Sequence, residues 1–172
     1  GALHPARAAR PATGAVGIEG DDLVDALRGF RPLAHRLEPV LERDGVLYVN
    51  DSIATIPEAS VAAARALAPR PTVLLVGGRD RRQDYGPLAE FLAGPSSVVG
   101  VVGLPGNGPA ILARIAEATA AMPTASADDL GDAVRRARRM LPDGGAVLLS
   151  PGAPSGEDFG DFEVRGEAFR TV

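Results

Sequence analysis

Apolar residues along this chain form short unbroken runs that alternate with stretches where they are spaced. Val73-Leu74-Leu75-Val76 holds no polar residue, as a strand covered on both faces requires. The same pattern predicts strands over 72–77, 98–103 and 146–150, and a short one over 122–125. Between them the spacing changes to the helical period over 57–67, 86–92, 108–120, 127–140 and 161–170, with Pro57 suited to a first helical turn. Ahead of these, residues 37–41 and 46–50 flank Glu42-Arg43-Asp44-Gly45, whose Asp-Gly pair signals a hairpin turn.

Strands alternating with helices imply an α/β fold, Rossmann-like, with a mostly parallel sheet, helices on both faces and one hairpin strand at the edge. Asp21 and Asp22 open a further short helix carrying Leu23, Ala26 and Leu27 and ending near Gly29. Residues 1–17 are rich in Ala, Arg, Pro and Gly without an apolar period, so they read as a linker remnant and residues 18–172 as the domain. No internal repeat is present.

Composition narrows the possibilities. With 172 residues, 45% of them apolar, the chain suffices for one domain with a true core. Cysteine is absent, which excludes disulfides, thiolate metal sites and cysteine nucleophiles. No apolar run reaches the roughly 18 residues of a membrane span and no signal-peptide pattern opens the chain, so a cytoplasmic protein without a membrane partner is expected. The net charge of -4 argues against nucleic acid, and Arg135, Arg136, Arg138 and Arg139 read as a solvated helix face. All 18 basic residues are arginine, so any role usually given to lysine falls to arginine or is missing.

Chemistry gathers where apolar runs end. Tyr48-Val49 opens into Asn50-Asp51-Ser52-Ile53-Ala54-Thr55, Gly77-Gly78 into Arg79-Asp80-Arg81-Arg82, and Leu148-Leu149 into Ser150-Pro151-Gly152-Ala153-Pro154-Ser155. In open α/β sheets such strand ends are where ligands bind. Asp51 can hold ribose hydroxyls or assist a metal, or the segment can cap the following helix. Gly77-Gly78 allows close backbone approach or simply a tight turn. His35 suits a buried hydrogen-bonded group as well as a ligand contact, and Arg36 either clamps a phosphate or pairs with Glu38. Glu157, Asp158, Asp161 and Glu163 offer a cation site or a solvated loop. Gly103-Leu104-Pro105-Gly106-Asn107-Gly108 lacks the Lys-Ser/Thr of a Walker A loop, and no serine sits in a Gly-x-Ser-x-Gly elbow. The residues thus reach a ligand-binding α/β domain with its site on one sheet edge, and leave the reaction open.

Four strings in order add a resemblance: residues 30–38 (Phe-Arg-Pro-Leu-Ala-His-Arg-Leu-Glu), Asn50-Asp51-Ser52-Ile53-Ala54-Thr55, Leu75-Val76-Gly77-Gly78-Arg79-Asp80-Arg81 and Leu148-Leu149-Ser150-Pro151, followed by 158–169 (Asp-Phe-Gly-Asp-Phe-Glu-Val-Arg-Gly-Glu-Ala-Phe). Together they resemble the C-terminal domain of the Mur ligases, nearest to members that add glutamate to UDP-N-acetylmuramoyl-L-alanine, from about Asp21 to the C-terminus. The resemblance implies an ATP-dependent amide ligase of peptidoglycan precursor synthesis, with ATP and Mg2+ held mainly by a central P-loop domain and the UDP sugar by an N-terminal one. Those two domains of the same polypeptide would be its partners, and the fragment alone would be inactive.

Carried over by position, His35, Arg36 and Asp51 resemble residues facing ATP. Thr55, Arg81, Ser155, Gly156 and Phe162 fall where the family contacts glutamate, and no metal ligand or catalytic residue is implied within this domain. Three departures stand out, two of them at single positions: Ile53 occupies a usual lysine position, and Arg81 replaces another lysine. Gly152-Ala153-Pro154-Ser155-Gly156 replaces the usual Ala-Cys-Ala-Ser followed by a larger residue. D-glutamate and L-glutamate both remain open, the Asp-Ser-Ile string fitting the L-glutamate-adding subgroup better. A stand-alone nucleotide-binding or interaction module is the alternative from a different class.

Overall fold

The hairpin forms as the Asp-Gly pair predicts. Strand β1 (Glu38–Arg43) runs antiparallel to β2 (Val46–Asn50). Asp44 and Gly45 between them take φ of 51° and 74°. Both are left-handed, the geometry that lets a two-residue turn follow the natural twist of its strands. In this computed structural model residues 33–156 and 159–172 are described. The expected helix over 21–29 and the linker over 1–17 lie outside the described residues, and the compact unit runs from Leu33 to Val172.

Helices and strands then alternate: α1 (Pro57–Ala66), β3 (Thr72–Val76), α2 (Gly86–Ala93), β4 (Val98–Gly103), α3 (Gly108–Ala118), β5 (Thr124–Ser126), α4 (Leu130–Arg139), β6 (Gly145–Leu149) and α5 (Phe162–Thr171). The sheet has the order β1-β2-β6-β3-β4-β5, with every pair but the hairpin parallel. This is the expected α/β architecture with its single antiparallel edge strand.

Successive side chains of a strand point to opposite faces, and the core divides accordingly. Leu74, Val76, Val49, Val101 and Leu148 pack beneath Ala63, Ala64, Leu88, Ile111 and Ile115 of α1, α2 and α3. On the other face Val73, Leu75, Val102, Val147 and Leu149 meet Leu130, Ala133, Val134 and Ala137 of α4 and Phe169 of α5. Leu74 and Leu75 are wholly buried, a burial that stabilises by roughly 1.5–3 kcal/mol per side chain.

Two helix starts are fixed by carboxylates. Asp129 accepts from the Asp132 backbone N at 2.6 Å, so α4 begins at Leu130, three residues later than the apolar spacing predicts. Asp161 caps α5 in the same way, accepting from the Val164 N at 2.8 Å. No described helix is long and apolar enough to cross a membrane.

Because β2, β6, β3 and β4 are parallel neighbours, their C-terminal ends lie side by side along one edge of the sheet. The loops leaving these ends, over 51–56, 150–161, 77–85 and 104–107, carry the polar strings singled out in the sequence.

Candidate ligand site at the strand ends

Immediately past β2 the chain turns on its own polar side chains. The Asn50 Oδ1 accepts from the Ser52 N at 3.2 Å, and its Nδ2 reaches the Gly166 carbonyl of α5 at 3.3 Å. Asp51 follows. Its Oδ1 accepts from the Leu37 N at 3.1 Å and its Oδ2 from the Ser150 hydroxyl at 2.7 Å, which ties the ends of β2 and β6 together. Burial raises the Asp51 pKa above the ordinary aspartate value, against the opposing pull of the Ser150 and Leu37 hydrogen bonds and the Arg36 charge.

Asp51, Arg36 and Thr55 line one open groove of about 350 Å³, floored by Ile53, Ala59 and Ala63. A cation and a carboxylate over an apolar floor fit a nucleoside phosphate: apolar wall for a base, an acceptor for hydroxyls, an arginine for phosphate. Arg36 is exposed and makes no salt bridge among the described residues. Glu38, the surface partner considered for it above, bonds instead to Arg170, whose guanidinium lowers the Glu38 pKa.

His35 is turned into the fold. Only 6% exposed, its Nδ1 lies 3.0 Å from the Asn50 Nδ2, so that nitrogen is the acceptor and the ring proton sits on Nε2, 3.7 Å from Glu167. Phe162 meets this ring edge to face, with centroids 6.0 Å apart. Of the two readings the sequence allows for His35, the geometry has that of a buried hydrogen-bonded group, and its carbonyl accepts from the Ile53 N at 3.2 Å.

The residues assigned to glutamate are spread along the edge. Thr55 is in the first groove; Gly156 lines a second, of about 480 Å³, with Gly78, Arg79, Asp80, Pro105 and Asn107. Arg81 is exposed on the loop between β3 and α2 and lines neither groove. The Ser155 Oγ is shielded from solvent and has no hydrogen-bond partner among the described residues. Phe162 is half-buried at the first turn of α5. The structure thus unites Arg36, Asp51 and Thr55 in one groove, while Ser155 and Gly156 lie on the loop after β6 and Gly156 lines the other. Among the described residues no group of three or more His, Asp or Glu gathers to hold a metal ion. A third groove of about 500 Å³, where Arg65 stacks on Phe91 between α1 and α2, is on the outer helical layer and away from the strand ends.

Arg165 was not singled out by the sequence as a functional residue. It is 1% exposed, its Nε donates to the Ser52 hydroxyl at 2.9 Å, and its other nitrogens donate to the carbonyls of Ser52 and Ala153 at 2.8 and 3.2 Å. It ties the loops after β2 and β6 to α5. Burial lowers its pKa to about 10, which leaves it charged at neutral pH. A lone arginine inside a helix carries no sequence signal of such a role; beside it, a Cβ at Gly166 would strike the His35 ring, so α5 approaches that residue closely.

Residues 35–153 match the family described as Mur ligase, glutamate ligase domain. The chain belongs to the Mur ligase family. Among its curated relatives, a UDP-N-acetylmuramoyl-L-alanine--L-glutamate ligase of Micromonospora is 44% identical over 152 residues, 87% of this chain and 32% of that protein. A UDP-N-acetylmuramoylalanine--D-glutamate ligase of Pelotomaculum thermopropionicum is 38% identical over 170 residues, 99% of this chain and 36% of that protein. The chain therefore spans about a third of the length of the Mur ligases it matches. Solved structures with the same fold include the Mycobacterium tuberculosis folylpolyglutamate synthase, at TM-score 0.63 and 19% identity over 89% of this chain and 36% of that one. MurF from Acinetobacter baumannii follows at TM-score 0.61 and 16% identity, over 91% and 35%.

Proposed function

We propose that this chain is the C-terminal domain of an ATP-dependent ligase that joins glutamate to UDP-N-acetylmuramoyl-L-alanine in peptidoglycan precursor synthesis. The observation that carries the reading is the groove shared by Arg36, Asp51 and Thr55, a phosphate-binding cation, a hydroxyl acceptor and a hydroxyl placed along one strand-end edge. ATP, when bound, would supply the phosphoryl group that activates the alanine carboxylate, so that phosphate leaves as the glutamate amino group forms the amide bond. Asp51, with Ser150 and Leu37 already holding its two oxygens, presents remaining lone pairs to the ribose, and Arg36 faces the phosphates.

On the amino-acid side, Thr55, Ser155, Arg81 and the Gly156 backbone bind and orient a dicarboxylate, and Phe162 walls it. Arg81 reaches this site only once the partner domain closes over the strand ends, which also excludes water from the reacting groups. Mg2+ and the P-loop belong to that other domain. L-glutamate is the favoured enantiomer: Ile53 lines the groove where the resemblance would place a lysine, and relatives at 42–44% identity carry the L-glutamate name. The test is a ligation assay on the whole ligase with each enantiomer. Amide formed from L-glutamate in preference to D-glutamate is expected; equal use of both would reject the enantiomer assignment, and no amide from either would reject the ligase.

A further inference from the structure

One buried hydroxyl joins all four loops at the strand ends. Tyr85, 9% exposed at the start of α2, has its ring in the core and its oxygen 2.8 Å from the Asn107 Nδ2 and 3.2 Å from both the Gln83 Oε1 and the Gly152 carbonyl. Backbone partners settle which way each amide points. The Asn107 Oδ1 must accept from the Gly78 N–H at 2.9 Å, so its Nδ2 donates to Tyr85; the Gln83 Nε2 donates to the Thr55 carbonyl at 2.9 Å, so its Oε1 faces Tyr85. The Tyr85 oxygen therefore accepts one proton and has a single one to give, shared between the Gln83 Oε1 and the Gly152 carbonyl at equal distances. Through these bonds it connects the loop after β4 (Asn107), the loop after β3 (Gly78 and Gln83), the loop after β6 (Gly152) and the loop after β2 (Thr55).

We propose that Tyr85 is a positioning residue for the amino-acid side of the site, its hydroxyl fixing the distance between Thr55 and the loops that carry Arg81, Ser155 and Gly156. Asp51, on the nucleotide side, is held by Leu37 and Ser150 rather than by this network, which reaches that groove only through the Thr55 carbonyl. Burial raises the Tyr85 pKa, so the hydroxyl keeps its proton across the working pH range and the connection does not titrate. No contact between Tyr85 and substrate is required: it acts through the loops, and its removal alters how well the pocket is formed rather than the reacting groups.

The proposal rests on the ligase reading for its kinetic test and on geometry alone for its structural one. Tyr85→Phe keeps the ring and deletes the hydroxyl. In the whole ligase it should raise KM for glutamate about five- to tenfold, the scale of one lost buried hydrogen bond, with kcat and the KM for ATP nearly unchanged. Asn107→Asp, which retains the acceptor for Gly78 but draws the Tyr85 proton away from Gln83 and Gly152, should give the same split. On this chain, Tyr85→Phe should speed hydrogen exchange at the Gly78 and Gly152 amides while leaving those of β3 and β6 protected. A glutamate KM unchanged by Tyr85→Phe, or one that moves only together with the ATP KM and kcat, would overturn the assignment. If the unmutated ligase joins no glutamate, the functional reading fails, and the exchange at Gly78 and Gly152 then decides the positioning role alone.

Discussion

At the scale of single residues the site is built from buried polar groups whose partners are mostly backbone. Asp51 was legible in the sequence because an acidic residue directly follows an apolar strand; Arg165 was not, since one arginine in an amphipathic helix resembles every other until its burial is seen. Asp51 gives a pH prediction with a definite sign. A carboxyl with a raised pKa binds protons more tightly folded than unfolded, so between the ordinary aspartate value and the raised one stability from this group increases as pH falls. An Asp51→Asn variant does not titrate. The thermal midpoint of the unmutated chain should therefore gain on that of Asp51→Asn as the buffer is taken from pH 7 toward pH 4, and a gap that stays constant across the series would contradict it.

At the scale of elements the apolar period located every described strand and helix, and errors lie at boundaries. The hairpin was readable because Asp-Gly is chemically specific for a left-handed pair. The start of α4 was misjudged because Ala127 continues the apolar spacing, whereas Asp129 ends the preceding extended segment by capping the helix. Caps also bear on the site through α5. Asp161 satisfies an otherwise free N–H at the turn that carries Phe162, and this helix supplies Arg165 to the loops after β2 and β6. Asp161→Ala should cost about 1 kcal/mol, read from urea unfolding of this chain, and an unchanged midpoint would show that the cap contributes nothing. The expectation of a solvated acidic loop holds for Asp161 only in part, since its carboxylate is committed to the cap.

For the whole molecule the strand order was beyond the sequence. Apolar runs say which strands are buried on both faces, and β3 and β6 look alike in this respect; nothing in them states that β6 enters between β2 and β3. The strand ends were readable in the sequence, but the two grooves were not: one is lined from the loop after β2 and from α1, the other from the loops after β3, β4 and β6. On the proposed reading the P-loop lies in another domain of the whole ligase, and with Arg36, Asp51 and Thr55 in an open groove this chain by itself should bind ATP weakly. Calorimetry is expected to give a dissociation constant in the millimolar range, about 4 kcal/mol of binding free energy, and micromolar binding by the isolated chain would reject the division of labour between domains.

The place of β6 also governs when the domain can exist at all. The hairpin on one side and the three parallel strands on the other are not paired with each other; both pair with Gly145–Leu149, which lies between them. During synthesis the half-sheets emerge first and their facing edges stay unsatisfied, so a nascent chain stopped before that segment is a candidate for chaperone capture or for pairing with the wrong strand. The strand order thus requires the last strand of the chain to be made before the two halves of the sheet can join.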